Sequence, residues 1–299
     1  MPIVSPPKKK IQKVGIIAKS TIAGHKAVFS KLLKLLQKEK CTVYLDNHAA
    51  NLIKGAKFFD HQDIYETCDL IIVLGGDGTI LKSAASAVKK ITPILGINLG
   101  NLGFNAETGP DQMEETIKAV LKNKYFLDKR SLLRVTVYRD KNKLETFLAL
   151  NDAVINQGMS ARLIELKIEI DGRKMVSFNA DGMIVATPTG STAHSLSAGG
   201  PIVHPTLDAF VITPICPSTL ALRPIVIPND REVVITVATK RRGTYNIGLT
   251  MDGQQTLPLE YGDTVKVRKS SRNFYLVRID TKNYYRTLRE KLGWGRESN

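Results

Sequence analysis

The sequence predicts an α/β domain built on a parallel sheet, followed by an all-β sandwich domain. Three observations carry this. Short apolar runs alternate with amphipathic segments in the first half. From Leu133 to Ile279 β-branched residues alternate with polar ones at a period of two. The last segment turns helical again, which suggests that it packs back on the first domain. The expected boundaries are 1–125 with 280–299 for the α/β domain and 126–279 for the sandwich.

The elements follow in order. Val14 to Ala18 is a buried strand, and residues 25–39 place Val28, Leu32, Leu33, Leu35 and Leu36 on one helical face among lysines. Thr42 to Leu45, Cys68 to Leu74 and Pro93 to Ile97 read as further strands; Ile80 to Val88 and Asp111 to Leu121 read as helices. In such sheets ligands bind beyond the carboxyl ends of the strands. In the second half Arg134–Tyr138, Glu165–Ile170, Glu232–Val237 and Thr264–Val267 alternate as half-buried strands, with Asp171-Gly172 and Asp252-Gly253 as hairpin turns. Asn283 to Leu292 is the closing helix.

At 299 residues, with 43% hydrophobic residues, the chain can bury a sizeable core. No apolar run approaches the roughly 18 residues of a membrane span, and Lys8 to Lys10 precede no signal-like stretch. Cys41, Cys68 and Cys216 are far apart and odd in number. They form neither a disulfide framework nor a zinc spacing, as expected of a reducing cytosol. The net charge is +15. Residues 1–60 carry 12 lysines against three acids, and residues 239–299 carry 13 basic groups against six acids. The surplus therefore sits at the two ends, while the middle is close to neutral. A basic chain suits nucleic acid, an anionic membrane or a small polyanion, and it also serves solubility.

The sharpest motif is Gly75-Gly76-Asp77-Gly78-Thr79, between an apolar strand and a helix. Glycines let a backbone approach phosphates, and the helix start favours an anion. An acid there repels phosphate unless it holds a magnesium ion or takes a proton from a hydroxyl. The plainer reading is a helix cap. A second glycine cluster, Gly96 to Phe104, follows the next strand. Asp181 to Pro201 crowds glycines and short hydroxyl side chains around one acid and one histidine, which suits a ligand with ribose hydroxyls; a Ser/Thr-rich loop is the bland alternative. His194 and Ser197 lack the nucleophile elbow of a hydrolase, and His204 has no metal spacing.

With these motifs the chain resembles the NAD kinases over nearly its whole length. The resemblance rests on Gly75–Thr79, Asn98–Phe104, Leu150-Asn151-Asp152, Asp181–Pro201, Thr213–Pro217 with Arg223-Pro224, and Asp252-Gly253-Gln254. It implies phosphorylation of the adenosine 2′-hydroxyl of NAD by ATP, with Asp77 as general base. It also implies ATP against Gly75, Gly76, Gly78 and Thr79, with magnesium bridging the phosphates. Asn151 and Asp152 would contact NAD. Asp181, Thr192, Ala193 and Ser197 would line it, within the block that includes His194, Ser195 and Leu196. Arg162, Asn179, Thr189 and Gln254 are further binding positions. The resemblance also implies a cytoplasmic homodimer or homotetramer assembled through the sandwich.

The chain departs from the family pattern at four places. His194 stands where tyrosine is usual, Asp152 where glutamate is frequent, and Ser218 where histidine is usual. Asn179 stands where some NAD-restricted members carry a basic residue. NAD or NADH as acceptor, and ATP or polyphosphate as donor, all fit these residues. Lipid kinases share the glycine loop, but a large aromatic amphipathic face for a membrane is missing from the sequence. Nucleic-acid binding would require aromatics interleaved with the basic residues, and the specific blocks lie mostly in the neutral middle. Neither a membrane nor a nucleic-acid partner is expected. Asp77 argues against a non-catalytic NAD-binding module.

Overall fold

The computed structural model describes residues 3–7, 9–100, 103–106, 108–158, 162–238, 247–279 and 284–294. Lys8, Asn101, Leu102 and Asn283, named above, lie outside the described residues. The chain forms two compact units. One comprises the described residues within 2–80, 91–128 and 275–299; the other comprises those within 81–90 and 129–274.

The first unit is the α/β unit. Its strands are β1 (Ile3–Val4), β2 (Lys13–Ala18), β3 (Thr42–Leu45), β4 (Leu70–Gly75) and β5 (Pro93–Asn98). The strands β3, β2, β4 and β5 lie side by side in that order, all parallel. Tyr275 and Leu276 extend the parallel sheet beyond β5. Every residue of β4 and β5 is buried, because helices cover both faces and leave no polar side. Helix α1 (Lys26–Lys38) buries Phe29, Leu32, Leu35 and Leu36; Val28 and Leu33 pack only at the margin of that core.

Two short helices have no counterpart in the periodicity, α2 (Asn47–Ala50) and α3 (His61–Thr67). Buried Asp46 starts α2 by accepting the Ala49 N–H at 2.8 Å, so a cap rather than an apolar stripe makes this turn. Helix α4 (Asp77–Ala84) begins three residues before Ile80, because the Gly76 carbonyl accepts the Thr79 and Ile80 amides. It ends well before Val88: Ser86 and Ala87 make tight bonds to Ser83 and Ala84 that close its last turn. Helix α5 is Met113–Leu121.

The second unit is all-β apart from short helical turns. Its strands are β6 (Phe126–Arg139), whose first three residues belong to the α/β unit, β7 (Asn142–Ala149), β8 (Asp152–Asn156), β9 (Ile164–Ile170), β10 (Arg173–Ala180) and β11 (Gly182–Ala186). They continue as β12 (Ala209–Ile215), β13 (Ile225–Pro228), β14 (Val233–Val237), β15 (Ile247–Met251), β16 (Gln255–Leu259) and β17 (Thr264–Arg278). One antiparallel sheet runs β13-β12-β11-β8-β15-β16. A second antiparallel set runs β10-β9-β14-β17. Side chains from both meet in one core, with Ile155, Val185, Phe210 and Leu249 from the first and Leu166, Ile168, Ile235 and Val265 from the second. That is a sandwich.

Asp171-Gly172 joins β9 to β10 with both residues at positive φ, 49° and 72°, the primed hairpin turn that matches strand twist. Asp252-Gly253, at 52° and 65°, turns β15 into β16 in the same hand. Asp140-Lys141 makes a further such turn that the sequence reading passed over. Helix α6 is His194–Ser197, and α7 (Tyr284–Leu292) falls in the α/β unit. No helix among the described residues is long and apolar enough to cross a membrane. No disulfide joins any of the three cysteines among the described residues.

Candidate functional site

In the α/β unit the strand order reverses between β2 and β4, since β3 lies outside one and β5 outside the other. Ligands of such sheets bind at that point, beyond the carboxyl ends of the strands. The glycine motif sits there, at the end of β4 and the start of α4. A Cβ on Gly75 would lie 2.2 Å from the Thr79 Oγ1, so this glycine is demanded by packing. A Cβ on Gly76 would meet nothing within 4 Å, so that side of the turn is open.

Asp77 turns its carboxylate onto the second glycine cluster. Its Oδ2 accepts the Phe104 N–H at 2.8 Å; its Oδ1 accepts those of Asn105 and Ala106 at 3.0 and 3.1 Å. A Cβ on Gly103 would lie 2.1 Å from the Asp77 Oδ1, so only glycine admits the carboxylate this closely. The carbonyl side of the same loop faces Arg278, which donates to Asn105 O at 3.2 Å and pairs with buried Asp128 at 3.4 Å. Asp77 is thus held in place by backbone from another loop, which goes beyond a helix cap.

In the β unit the predicted pair Asn151 and Asp152 lies in the turn Leu150-Asn151-Asp152 that leads into β8. Asp252 accepts all three amides of this turn: Leu150 N–H at 2.8 Å on Oδ2, Asn151 and Asp152 N–H at 2.7 and 3.0 Å on Oδ1. Thr187 holds the carbonyl side: its hydroxyl donates to Leu150 O at 2.5 Å and its amide to Asn151 O at 2.8 Å. Gly190 packs on the same turn, with its would-be Cβ 2.2 Å from the Asn151 carbonyl oxygen. Asn151 Oδ1 is buried and has no hydrogen-bond partner. Asp152 is 4% exposed. Burial, then the neighbouring Asp252, pushes its carboxyl up to about 7. Burial pushes Asp252 up to about 6, against the three amides that favour its charged form.

The remaining predicted positions divide by role. Thr189 accepts from buried Arg130 at 3.1 Å. Asp181, at the corner between β10 and β11, accepts the Gln157 amide at 2.9 Å. The Ser195 hydroxyl is fully buried and bonded to Thr213 at 2.9 Å, so it packs rather than faces solvent. Thr192, Ala193 and Leu196 are half-buried, whereas His194 and Ser197 of α6 are exposed. Gln254 is exposed at the tip of the β15–β16 hairpin. Arg162 and Asn179 are exposed as well, and the Asn179 carbonyl accepts the Ser218 amide. Asp252 and Thr187, which lie in the family blocks but were assigned no role, and Arg130, which the sequence reading did not single out, bond to these candidate segments.

The family model for the ATP-NAD kinase N-terminal domain matches residues 14–125, and that for the ATP-NAD kinase C-terminal domain matches residues 150–279. An NAD kinase of Geotalea daltonii is 40% identical over 285 residues, 95% of this chain and 99% of that protein. An NAD kinase of Pseudomonas putida is 40% identical over 289 residues, 96% and 97%. Among solved structures, a yeast NADH kinase complexed with NADH superposes with a TM-score of 0.88 at 28% identity, covering 98% of this chain and 90% of that one. An NAD kinase from Archaeoglobus fulgidus in complex with ATP gives 0.73 at 25% identity, covering 94% and 99%.

Proposed function

Since the chain belongs to the NAD kinase family, we propose that it transfers the γ-phosphoryl group of ATP to the adenosine 2′-hydroxyl of NAD, giving NADP, with Asp77 as general base. The observation that carries this reading is the Asp77 carboxylate, fixed by three loop amides at the carboxyl end of β4. A carboxylate offers about four lone-pair positions. Three amides leave room for one hydroxyl. Phosphoryl transfer passes through a loose transition state, so the hydroxyl proton leaves late and orientation outweighs basicity.

ATP phosphates would lie along the open side of Gly76, near the amides at the start of α4. No cluster of three or more His, Cys, Asp or Glu able to hold a metal occurs among the described residues. This donor set fits a magnesium ion that the phosphates themselves would hold, since three amides and the hydroxyl take up the Asp77 carboxylate. When bound, the ion neutralises phosphate charge. NAD would be held by Asn151, Asp152 and Asp181, with Thr192, Ala193, His194 and Ser197 beside it. Buried Asn151 Oδ1 supports this, since it waits for a donor. The yeast neighbour's NADH supports assaying NADH beside NAD.

The test is NADP formation from NAD with ATP and magnesium, coupled to an NADP-specific dehydrogenase. Asp77→Asn is expected to keep NAD binding and to lose about 100-fold or more in kcat. A kcat near that of the parent enzyme would remove Asp77 from the chemistry.

A further inference from the structure

We infer that Asp252 is a positioning residue for the acceptor site, fixing Asn151 and Asp152 through the backbone amides of residues 150–152. The inference rests on the proposed role of Asn151 and Asp152 in binding the acceptor.

Asp252 stands at the first position of the β15–β16 turn with φ at 52°, a left-handed conformation that aspartate tolerates better than most residues. This places its carboxylate across the ends of the three amides at 2.7–3.0 Å, lengths of charge-assisted bonds. Its own N–H donates to Asp152 O at 3.0 Å. Thr187 grips the opposite, carbonyl side of the same turn. A segment bracketed on both sides has one conformation. Within it Asn151 Oδ1 is buried without a donor. A buried acceptor held rigidly and left unpaired costs free energy in the free protein, and a ligand donor that reaches it recovers that cost.

The arrangement has an electrostatic side. The hairpin that supplies the amide acceptor also sets a second carboxylate beside Asp152. On the flanking strands Ala186 of β11 pairs with Asp152, and Met251 of β15 pairs with its neighbour Ala153. Asp252 is the charged group that acts on Asp152. Removing the Asp252 charge therefore makes Asp152 ionise at lower pH.

The test variant is Asp252→Asn. Asparagine keeps the left-handed turn and one acceptor oxygen, but sets an NH2 against one of the amides. Three results are expected: KM for NAD rises about tenfold, kcat stays within about threefold, and the midpoint of the pH dependence of KM moves to lower pH, whichever form of Asp152 binds the acceptor. Exchange of the amide protons of residues 150–152 also accelerates while the rest of the β unit keeps its protection. A folded Asp252→Asn protein with the parent's KM, pH midpoint and amide protection overturns the inference. Asp152→Asn separates the two levels. If it leaves the KM for NAD unchanged, the reading of the acceptor site fails, and amide exchange in Asp252→Asn still decides whether Asp252 positions the turn. If Asp252→Asn does not fold, Asp252→Gly keeps the left-handed turn and removes the carboxylate. It should raise KM, lower the pH midpoint and speed amide exchange at residues 150–152, and a folded Asp252→Gly protein with parent-like values of all three overturns the inference.

Discussion

Gly75 and Gly76 look interchangeable in the sequence but face opposite demands, and Gly76→Ala turns this into a test of where the phosphates run. A methyl at 76 meets no protein atom within 4 Å, and the backbone there is not left-handed. Alanine is a poorer helix cap than glycine by about 0.5–1 kcal/mol. It also removes about 0.4–1 kcal/mol of unfolded-chain entropy, so the two effects nearly cancel. The expected change in Tm is under about 3 °C. Activity is another matter. If triphosphate oxygens bond to amides of this turn, the methyl displaces them and one charge-assisted bond is lost, about 1.5–3 kcal/mol. That is roughly 10- to 150-fold in kcat/KM for ATP. The assay is initial-rate NADP formation across ATP concentrations, beside scanning calorimetry. Gly75→Ala and Gly103→Ala are the contrasting controls. Their methyls land 2.2 Å from Thr79 Oγ1 and 2.1 Å from Asp77 Oδ1, so both should lower stability before any question of binding arises. An unchanged kcat/KM for ATP in a normally folded Gly76→Ala protein would refute the phosphate path.

Three other outcomes follow from the β unit. Gly190→Ala drives a methyl to 2.2 Å from the Asn151 carbonyl oxygen, backbone that is pinned on both sides; a loss of about 1–3 kcal/mol is expected in urea unfolding, and a parent-like midpoint would show that the turn can yield. Asp152 and Asp252 have folded-state pKa values raised to about 7 and about 6, so the folded protein binds these protons more tightly than the unfolded chain. Their contribution to stability is full below about pH 4 and fades as pH rises through 6 and 7. Asp152→Asn should therefore gain about 1–3 kcal/mol relative to the parent between pH 5 and pH 8, read from paired urea titrations, and a constant difference would contradict the shift. Arg139 bonds fully buried Asp263 at 2.9 and 2.8 Å, with Glu260 beside it. Arg139→Met leaves that carboxylate unpaired and should cost about 2–4 kcal/mol, less than a fully buried pair because the arginine is partly solvated; calorimetry showing under about 1 kcal/mol would mean water replaces the guanidinium.

The parallel strands β2, β4 and β5 were legible because burial on both faces forces continuous apolar runs such as Leu70 to Leu74. The sandwich was legible from alternation, and its Asp-Gly turns from the left-handed positions they fill. Helices α2 and α3 escaped notice because four and seven residues are too short to display a period. The site divided along the same line. Asp77 stood out as an acid among glycines. Asp252 did not, because Asp-Gly already had an explanation as a turn, and its partners lie about 100 residues away in sequence. Those partners are amides, which every residue except proline carries.

The Asp77 clasp has the same character, and this shapes how the loop can vary. Phe104, Asn105 and Ala106 contribute N–H groups, which do not depend on side-chain identity. As far as the clasp is concerned, these positions can drift freely so long as none becomes proline. Other demands set their limits: Ala106 and Asn105 are buried, whereas Phe104 is half-exposed. Gly103 has no such latitude, since any side chain displaces the carboxylate itself. The loop can therefore change its chemistry at Phe104 without moving Asp77.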